Sequence, residues 1–429
     1  MYKNLDVVKI AEETAISVIM SDRLKYLTFY EILENYIQNN SQNNILIGGE
    51  IATNMLLLNK IKNKISVNSF QCYDLYSDSN KYHAYELANL FYSPEGLGLY
   101  TNVETDEIIY KINVNGRRIA QFLPLIHIKG KDISVSLPKI CSGIFTKTML
   151  NCMGPEVRLI DTYQQLTSPN MVKNWPSLLK NEHNLRQLLL DTLRSKISQI
   201  FGGSSKQHNN NIIQHIIQHI IQYLQSSNCV FIGTRAIKYL NKETPKLYEK
   251  VQAITKYPLK EEATNIMKLL KTKGIQINYK ITSPHLPTDI KLQRLTIKYK
   301  HSSGKTESIA DIYNSAEYSL IPFNIAPTQE KIGTLFVLMR FCLIDIWILI
   351  LIQKMGGYLT NEYVKIALNR IINEYESLSN IYKKTNKPFS ENLSSYIGVY
   401  ENPILYQKRQ RIEKPKSRTY YYPGNTLVK

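Results

Sequence analysis

The chain has 429 residues, 43% hydrophobic and 21% charged, the proportions of an ordinary soluble globular protein long enough for two or three domains with their own cores. Lys and Arg outnumber Asp and Glu by 53 to 35, a formal charge of +18, which points to a polyanionic partner, nucleic acid well before an acidic membrane surface; a coding bias towards Lys, Asn, Ile and Tyr supplies part of that excess. Cys72, Cys141, Cys152, Cys229 and Cys342 are scattered with no CxxC pair, which indicates neither a zinc site nor a disulfide framework and implies a reducing compartment, the cytoplasm.

Residues 1 to 40 read as helical, with Val8, Ile10, Ala11, Ala15, Val18 and Ile19 near helical spacing. The start, MYKNLDVVKIAEE, lacks the apolar core of a signal peptide. After a loop, NNSQNN, the stretch Asn44 to Tyr92 gives an apolar strand breaking at Gly48-Gly49, a helix, a second strand carrying Asp74 and a second helix. That is the opening of a nucleotidyltransferase-like α/β unit. A Gly-Gly turn ahead of a helix lets backbone N–H groups approach phosphates closely. SPEGLG is turn-rich, and TDEIIYKINVNGRRIAQFLPL reads as strand around a turn at Asn115-Gly116. Lys139 to Leu150 reads as helical or irregular. The segment from Gly154 to Ile197 is helical in two pieces broken near Ser168-Pro169. GGSSKQHNNN at 202–211 is a linker that lacks the Lys-Ser or Lys-Thr of a P-loop.

IIQHIIQHIIQYLQ places isoleucines along one helix face, with His215 and His219 at i and i+4. That spacing is a fragment of a metal site, without a Glu between them or a third ligand. The opening architecture then recurs: NCVFIGTRAIKYL parallels NILIGGEIATNMLL, VQAITKYPLKEEATNIMKLLK parallels FQCYDLYSDSNKYHAYELANLFY, and ESIADIYNSAEYSLIPF parallels RRIAQFLPL. Three matches in one order indicate duplication. The second copy carries Asp311 in its IAD motif, with Ala253 and Thr255 expected where strand acids would stand. It is expected to be structural or RNA-facing. Leu335 to Ile352 approaches membrane length but carries Arg340 and Asp345, so it reads as a buried helix. The last stretch is basic and Tyr-rich, with Lys408, Arg409, Arg411, Lys414, Lys416 and Arg418 before Tyr420-Tyr421-Tyr422-Pro423. Such a composition suits a phosphate backbone and exposed bases, or a solvated tail. The expected layout is α/β (α+β), two tandem nucleotidyltransferase-like domains. Residues 1–201 hold the first domain, 202–211 the linker, 212–390 the degenerate second domain and 391–429 the tail.

A nucleotidyltransferase needs three carboxylates on two metal ions, two of them at i and i+2 on one strand. The second strand offers Cys72, Asp74, Tyr76 and Asp78 on one face, but Asp74 and Asp78 lie roughly 13 Å apart along it. Cys72 is a poor magnesium ligand.

CYDLYS at 72–77, IYKINVN at 109–115, IAQFLPL at 119–125, PEVRLIDTYQQLTSP at 155–169, SYIGVY at 395–400 and the YYYP near the end, with the strand-Gly-Gly-helix opening, resemble the poly(A) polymerases of giant viruses and poxviruses over nearly the whole chain. In that family the second strand reads Asp-x-Asp-x-Tyr-Ser. By position Gly48 and Gly49 match the nucleotide-binding loop and Asp74 the second acid, while Cys72 and Gln121 replace the other two. Asp106 and Glu107 are the acids available for rescue. The resemblance with these departures implies a degenerate relative that binds RNA (mRNA, tRNA or rRNA) without efficient catalysis. It uses no cofactor and holds metal weakly, if at all, at Asp74. One setting is the toxin-immunity protein of a yeast cytoplasmic killer plasmid, with a toxin as partner. The alternative is an active, template-independent poly(A) polymerase using ATP and Mg2+ or Mn2+. A third reading is an RNA-binding subunit that pairs with a polymerase or with a second copy of itself.

Overall fold

Period-3.6 and period-2 apolar patterns alternate along the first third of the chain, and the computed structural model follows them. Two helices, α1 (Lys3–Leu24) and α2 (Leu27–Asn39), precede β1 (Leu46–Gly48), α3 (Gly49–Leu57), β2 (Tyr73–Ser77) and α4 (Asn80–Phe91). Then come β3 (Thr101–Asp106), β4 (Ile109–Val114), β5 (Arg117–Pro124), β6 (Lys139–Ser142), β7 (Met149–Cys152) and α5 (Pro155–Leu166). The chain continues through α6 (Trp175–Ile197), α7 (Asn211–Ser226), β8 (Val230–Ile232), α8 (Gly233–Leu240), β9 (Val251–Ile254) and α9 (Leu259–Lys271). It closes with β10 (Ile277–Thr282), β11 (Gln293–Lys300), β12 (Thr306–Asn314), β13 (Leu320–Ile325), β14 (Lys331–Gly333), α10 (Leu335–Lys354), α11 (Asn361–Lys384), β15 (Tyr396–Gly398) and β16 (Thr419–Tyr421). The structure describes all residues except 1–2, 41–44, 59–68, 107, 126–138, 198–210, 247–248, 285, 287–288, 290, 302–303, 305, 315–319, 355–360, 385–395, 399–418 and 425–429.

Two compact units result, Met1–Arg158 with Arg409–Lys429, and Leu159–Lys408. The division falls inside α5, whereas the sequence set it at 202–211. Each unit holds one sheet. The first runs β16-β3-β4-β5-β2-β1-β7-β6 and the second β10-β11-β12-β9-β8-β14-β13-β15. Stripped of β16 and β15, the two orders are the same. Their ladder directions agree as well: β5 is parallel to β2 as β12 is to β9, β1 to β7 as β8 to β14, and the remaining neighbours are antiparallel. The duplication expected from sequence is therefore a duplication of topology.

In the first unit one sheet face is buried, with Tyr30, Leu33 and Ile37 of α2 and Leu87 and Phe91 of α4 in one core with Ile112, Val114 and Phe122. The opposite face carries Asp74, Gln121 and Lys111, which are half-buried. In the second unit α10 is buried from Leu335 to Ile348 apart from Asp345. Its charged residues find partners from other elements: Arg340 donates to Asp289 Oδ2 at 2.9 Å and Gln164 Oε1 at 2.7 Å, and Asp345 accepts from Gln252 and Tyr313. No helix among the described residues is long and apolar enough to cross a membrane.

Two expectations need correction. Lys139 to Leu150 contains no helix; β6 and β7 form a hairpin there, with Cys141 opposite Leu150, because alternation at Cys141, Leu150 and Cys152 buries one side of an edge pair. The last stretch is not only a tail. Segment Tyr396–Gly398 adds to β13 in the second unit and Thr419–Tyr421 to β3 in the first. Lys408, Arg409, Arg411, Lys414, Lys416 and Arg418 lie outside the described residues.

Candidate active site

Gly48 ends β1 and Gly49 opens α3 with φ +63°, a conformation that costs an L side chain about 1 kcal/mol or more. Space demands glycine as well, because a Cβ on Gly49 would collide with the Asp74 carboxylate. The turn thus rests directly against the one acid of the second strand. Behind it, Thr53 Oγ1 reaches Gly49 O and accepts from buried Arg158 Nε at 3.2 Å. That contact is the work of the Arg in PEVRLIDTYQQLTSP.

Ladder pairing aligns one row across the sheet. Gly48 faces Asp74, Asp74 faces Gln121, Gln121 faces Lys111, Lys111 faces Glu104 and Glu104 faces Tyr420. Residues directly opposite share a face, so all six look the same way, away from the helix-packed core. Gln121 Nε2 donates to Asp74 Oδ1 at 2.6 Å. Lys111 and Arg118 lie 3.9 and 4.0 Å from the Glu104 carboxylate. Cys72 sits one residue before β2, its thiol donating to Tyr73 O at 3.7 Å. Burial first, and the charge of Asp74 second, push that thiol up from its ordinary value, so it is a protonated thiol at neutral pH.

Magnesium takes hard oxygen ligands in a near-octahedral set. Here the positions offer one carboxylate, an amide whose N–H already points at it, and a neutral thiol. This donor set does not suit a pair of magnesium ions. Asp106 ends β3, three strands from β2, roughly 14 Å by strand spacing, too far to complete it; Glu107 lies outside the described residues. Among the described residues no group of three His, Cys, Asp or Glu is placed to hold a metal. On α7 His215 is exposed and His219 half-buried, with their Nε2 atoms 3.2 Å apart.

The second copy repeats the row with its chemistry exchanged. Ile232 faces Gln252, Gln252 faces Asp311, Asp311 faces Thr296 and Thr296 faces Lys280. Gly233, at φ +66°, rests on Gln252 as Gly49 rests on Asp74. The residues equivalent to Cys72 and Asp74 are therefore Lys250 and Gln252, and the expectation that Ala253 and Thr255 hold those places is wrong by three residues; an odd shift reverses the face, and both are buried on the opposite side of the pleat. Lys250 pairs with Asp311 Oδ2 and Thr296 donates to Oδ1 at 2.7 Å, while Gln252 Nε2 donates to Asp345 Oδ2 at 2.7 Å. The second row is occupied by internal partners, including a carboxylate brought by α10.

Sequence reasoning passed over Lys111, although it lies in a quoted motif. From the Asn115-Gly116 turn, strict pairing would set Lys111 opposite Ala120; a bulge after Ile112 leaves Ile119 unpaired and moves it opposite Gln121. No residue type signals that bulge.

Two mixed sheets with matching topology, each opened by a strand, a glycine at positive φ and a helix, define a duplicated nucleotidyltransferase fold of the viral poly(A) polymerase type. The crystal structure of the Megavirus polyadenylate synthase matches with a TM-score of 0.66 at 16% identity, covering 97% of this chain and 85% of that one; likeness at that identity establishes the fold. In sequence the chain is 32% identical over 432 residues to an uncharacterized protein of African swine fever virus, isolate Tick/Malawi/Lil 20-1/1983, covering 99% of this chain and 98% of that protein. It is also 32% identical over 434 residues to the same uncharacterized protein of isolate Tick/South Africa/Pretoriuskop Pr4/1996. The chain belongs to the family of these African swine fever virus proteins. No family model matches it. These relatives are viral, and nothing in them points to a killer-plasmid immunity protein.

Proposed function

We propose that this protein is a pseudo-poly(A)-polymerase, an RNA-binding protein on a nucleotidyltransferase scaffold whose chemical step is lost or nearly so. One observation carries the reading: the side chain facing Asp74 across the β2–β5 ladder is an amide that donates to it, at the place where the family resemblance puts an acid. A carboxylate there would repel Asp74 until a cation bridged the two. Gln121 instead satisfies Asp74 without metal. The charge of +18 supports contact with a polyanion.

An assay for extension of an oligo(A) primer with ATP and manganese tests this reading against the active alternative. Expected is no extension above background for the wild-type chain or for Asp74→Ala. Tailing by the wild type that disappears in Asp74→Ala would establish a working polymerase.

A second reading, association with another copy of the chain, is favoured by α1. Its Val7, Val8, Ile10, Ile16, Val18 and Ile19 are all exposed, an apolar display that isolated soluble chains seldom keep uncovered.

A further inference from the structure

The three consecutive tyrosines near the end of the sequence do different work. Strand β16 pairs antiparallel with β3, placing Tyr421 opposite Val103 and Tyr420 opposite Glu104. Alternation then sends Tyr421 to the helix side and Tyr420 and Tyr422 to the open side. Tyr421 is the anchor: its ring stacks on Tyr85 of α4 at 4.3 Å and 9°, and its hydroxyl donates to Asn89 Oδ1 at 2.7 Å. Gly424 holds the next turn, since a Cβ there would press into the Tyr92 ring. Tyr420 and Tyr422 are 49% and 47% exposed, with centroids 6.3 Å apart and planes within 25°.

We infer that Tyr420 and Tyr422 form a base-stacking platform for single-stranded nucleic acid, at the edge of the row that leads through Lys111 to Gln121 and Asp74. The inference rests on the RNA-binding reading and assigns that reading a place. Two rings held nearly parallel on one strand cost little side-chain entropy to use and offer adjacent faces to successive bases. A protein partner would also accept exposed tyrosines, but charge selects the polyanion. The chain carries +18, Lys111 and Arg118 stand on the same face, and the sequence joined directly to Thr419 is KRQRIEKPKSR. Glu104 partly neutralises the two described cations, so the rings, not the charges, are assigned the base contacts.

The experiment is fluorescence anisotropy with labelled 12-nucleotide oligo(A) and with the same length of duplex RNA, on the full chain. Tyr420→Ala/Tyr422→Ala is expected to weaken oligo(A) binding at least tenfold, with little change in the salt slope, because a stacking ring carries no charge. Tyr420→Phe/Tyr422→Phe is expected to bind within about twofold of wild type, since stacking needs the ring and not the hydroxyl. The Phe pair also keeps the strand in place, so its retention of binding separates lost stacking from lost structure. Wild-type binding undiminished in the Ala pair would overturn the platform and leave RNA binding standing. Equal loss in the Phe and Ala pairs, or duplex bound as well as single strand, would overturn it too. A wild-type chain that binds neither probe would remove the RNA reading itself.

Discussion

Asp311, the counterpart of Gln121 in the second sheet, shows how a buried carboxylate can serve stability. Burial alone would raise its pKa, but Lys250 and Arg294 beside it hold the carboxyl below its ordinary value. A folded-state pKa below the unfolded one, about 3.9, means stabilisation fully present above pH 4 and lost as pH falls through the folded value. Asp345, half-buried and facing Gln252 and Tyr313, is shifted the other way, upward by desolvation. Asp311→Asn is therefore expected to lower stability by about 2 kcal/mol at neutral pH, less than for a fully buried pair because Lys250 is partly solvated. Denaturant midpoints of wild type and variant should converge below about pH 4. A gap that persists unchanged into acid would mean that the asparagine disturbs packing and that charge is not the cause. At this scale part of the candidate site was legible: Gly49, Asp74 and Gln121 stand on the turn and strands that the strand-turn-helix pattern and IAQ put them on, whereas Cys72 and Asp78, read on the second strand, each lie one residue outside it. The Asp74–Gln121 hydrogen bond and the alignment of Lys111 were not legible, because both depend on register across non-adjacent strands and on a bulge.

Elements were read best where one periodicity ran long enough to be unambiguous. Helix α7 buries Ile213, Ile216, Ile217, Ile220, Ile221 and Leu224 as its repeat demands, and Asn115-Gly116, both at positive φ, makes the two-residue hairpin. The β6–β7 hairpin escaped because four-residue strands carry too few alternations to outvote a helical reading, and what orders the turn between them is distant: Glu34 of α2 accepts backbone N–H bonds from Ile144, Phe145 and Thr146 and a hydroxyl from Tyr73. Helix α1 poses the opposite case, being legible and yet uncovered. A free-standing helix is marginal in water unless a face is buried, and along α1 every residue from Val7 to Ile19 is exposed. If a second copy covers it, sedimentation velocity of the full chain should show a dimer at micromolar concentration, and removal of residues 1–24 should give a monomer that retains the melting transition of the two units. A monomeric full-length chain at those concentrations would end the association reading.

Across the molecule, the two copies hold one Asp and one Gln at equivalent places in exchanged order. The first keeps Asp on the second strand with Gln on the third, Asp74 facing Gln121; the second keeps Gln on the second strand with Asp on the third, Gln252 facing Asp311. Restoring acids should therefore have unequal results, because the surroundings differ. In the first copy Cys72→Asp with Gln121→Asp places new carboxylates beside Asp74 on a half-buried face, and like charges held that closely favour a bridging cation. In the second copy Gln252→Asp puts a carboxylate between Asp311, already neutralised by Lys250 and near Arg294, and Asp345 of α10. An ammonium bound at Asp311 leaves a divalent ion no net charge advantage there. Manganese titrations followed by electron paramagnetic resonance should show binding gained by at least tenfold in the first variant and unchanged in the second. If the first variant gains nothing, the face beside Gly48-Gly49 has lost the geometry of a metal site and not merely its ligands. If the second gains as much as the first, Lys250 is not acting as the internal counter-ion, and the second copy would have to be counted a site that sequence change had only silenced.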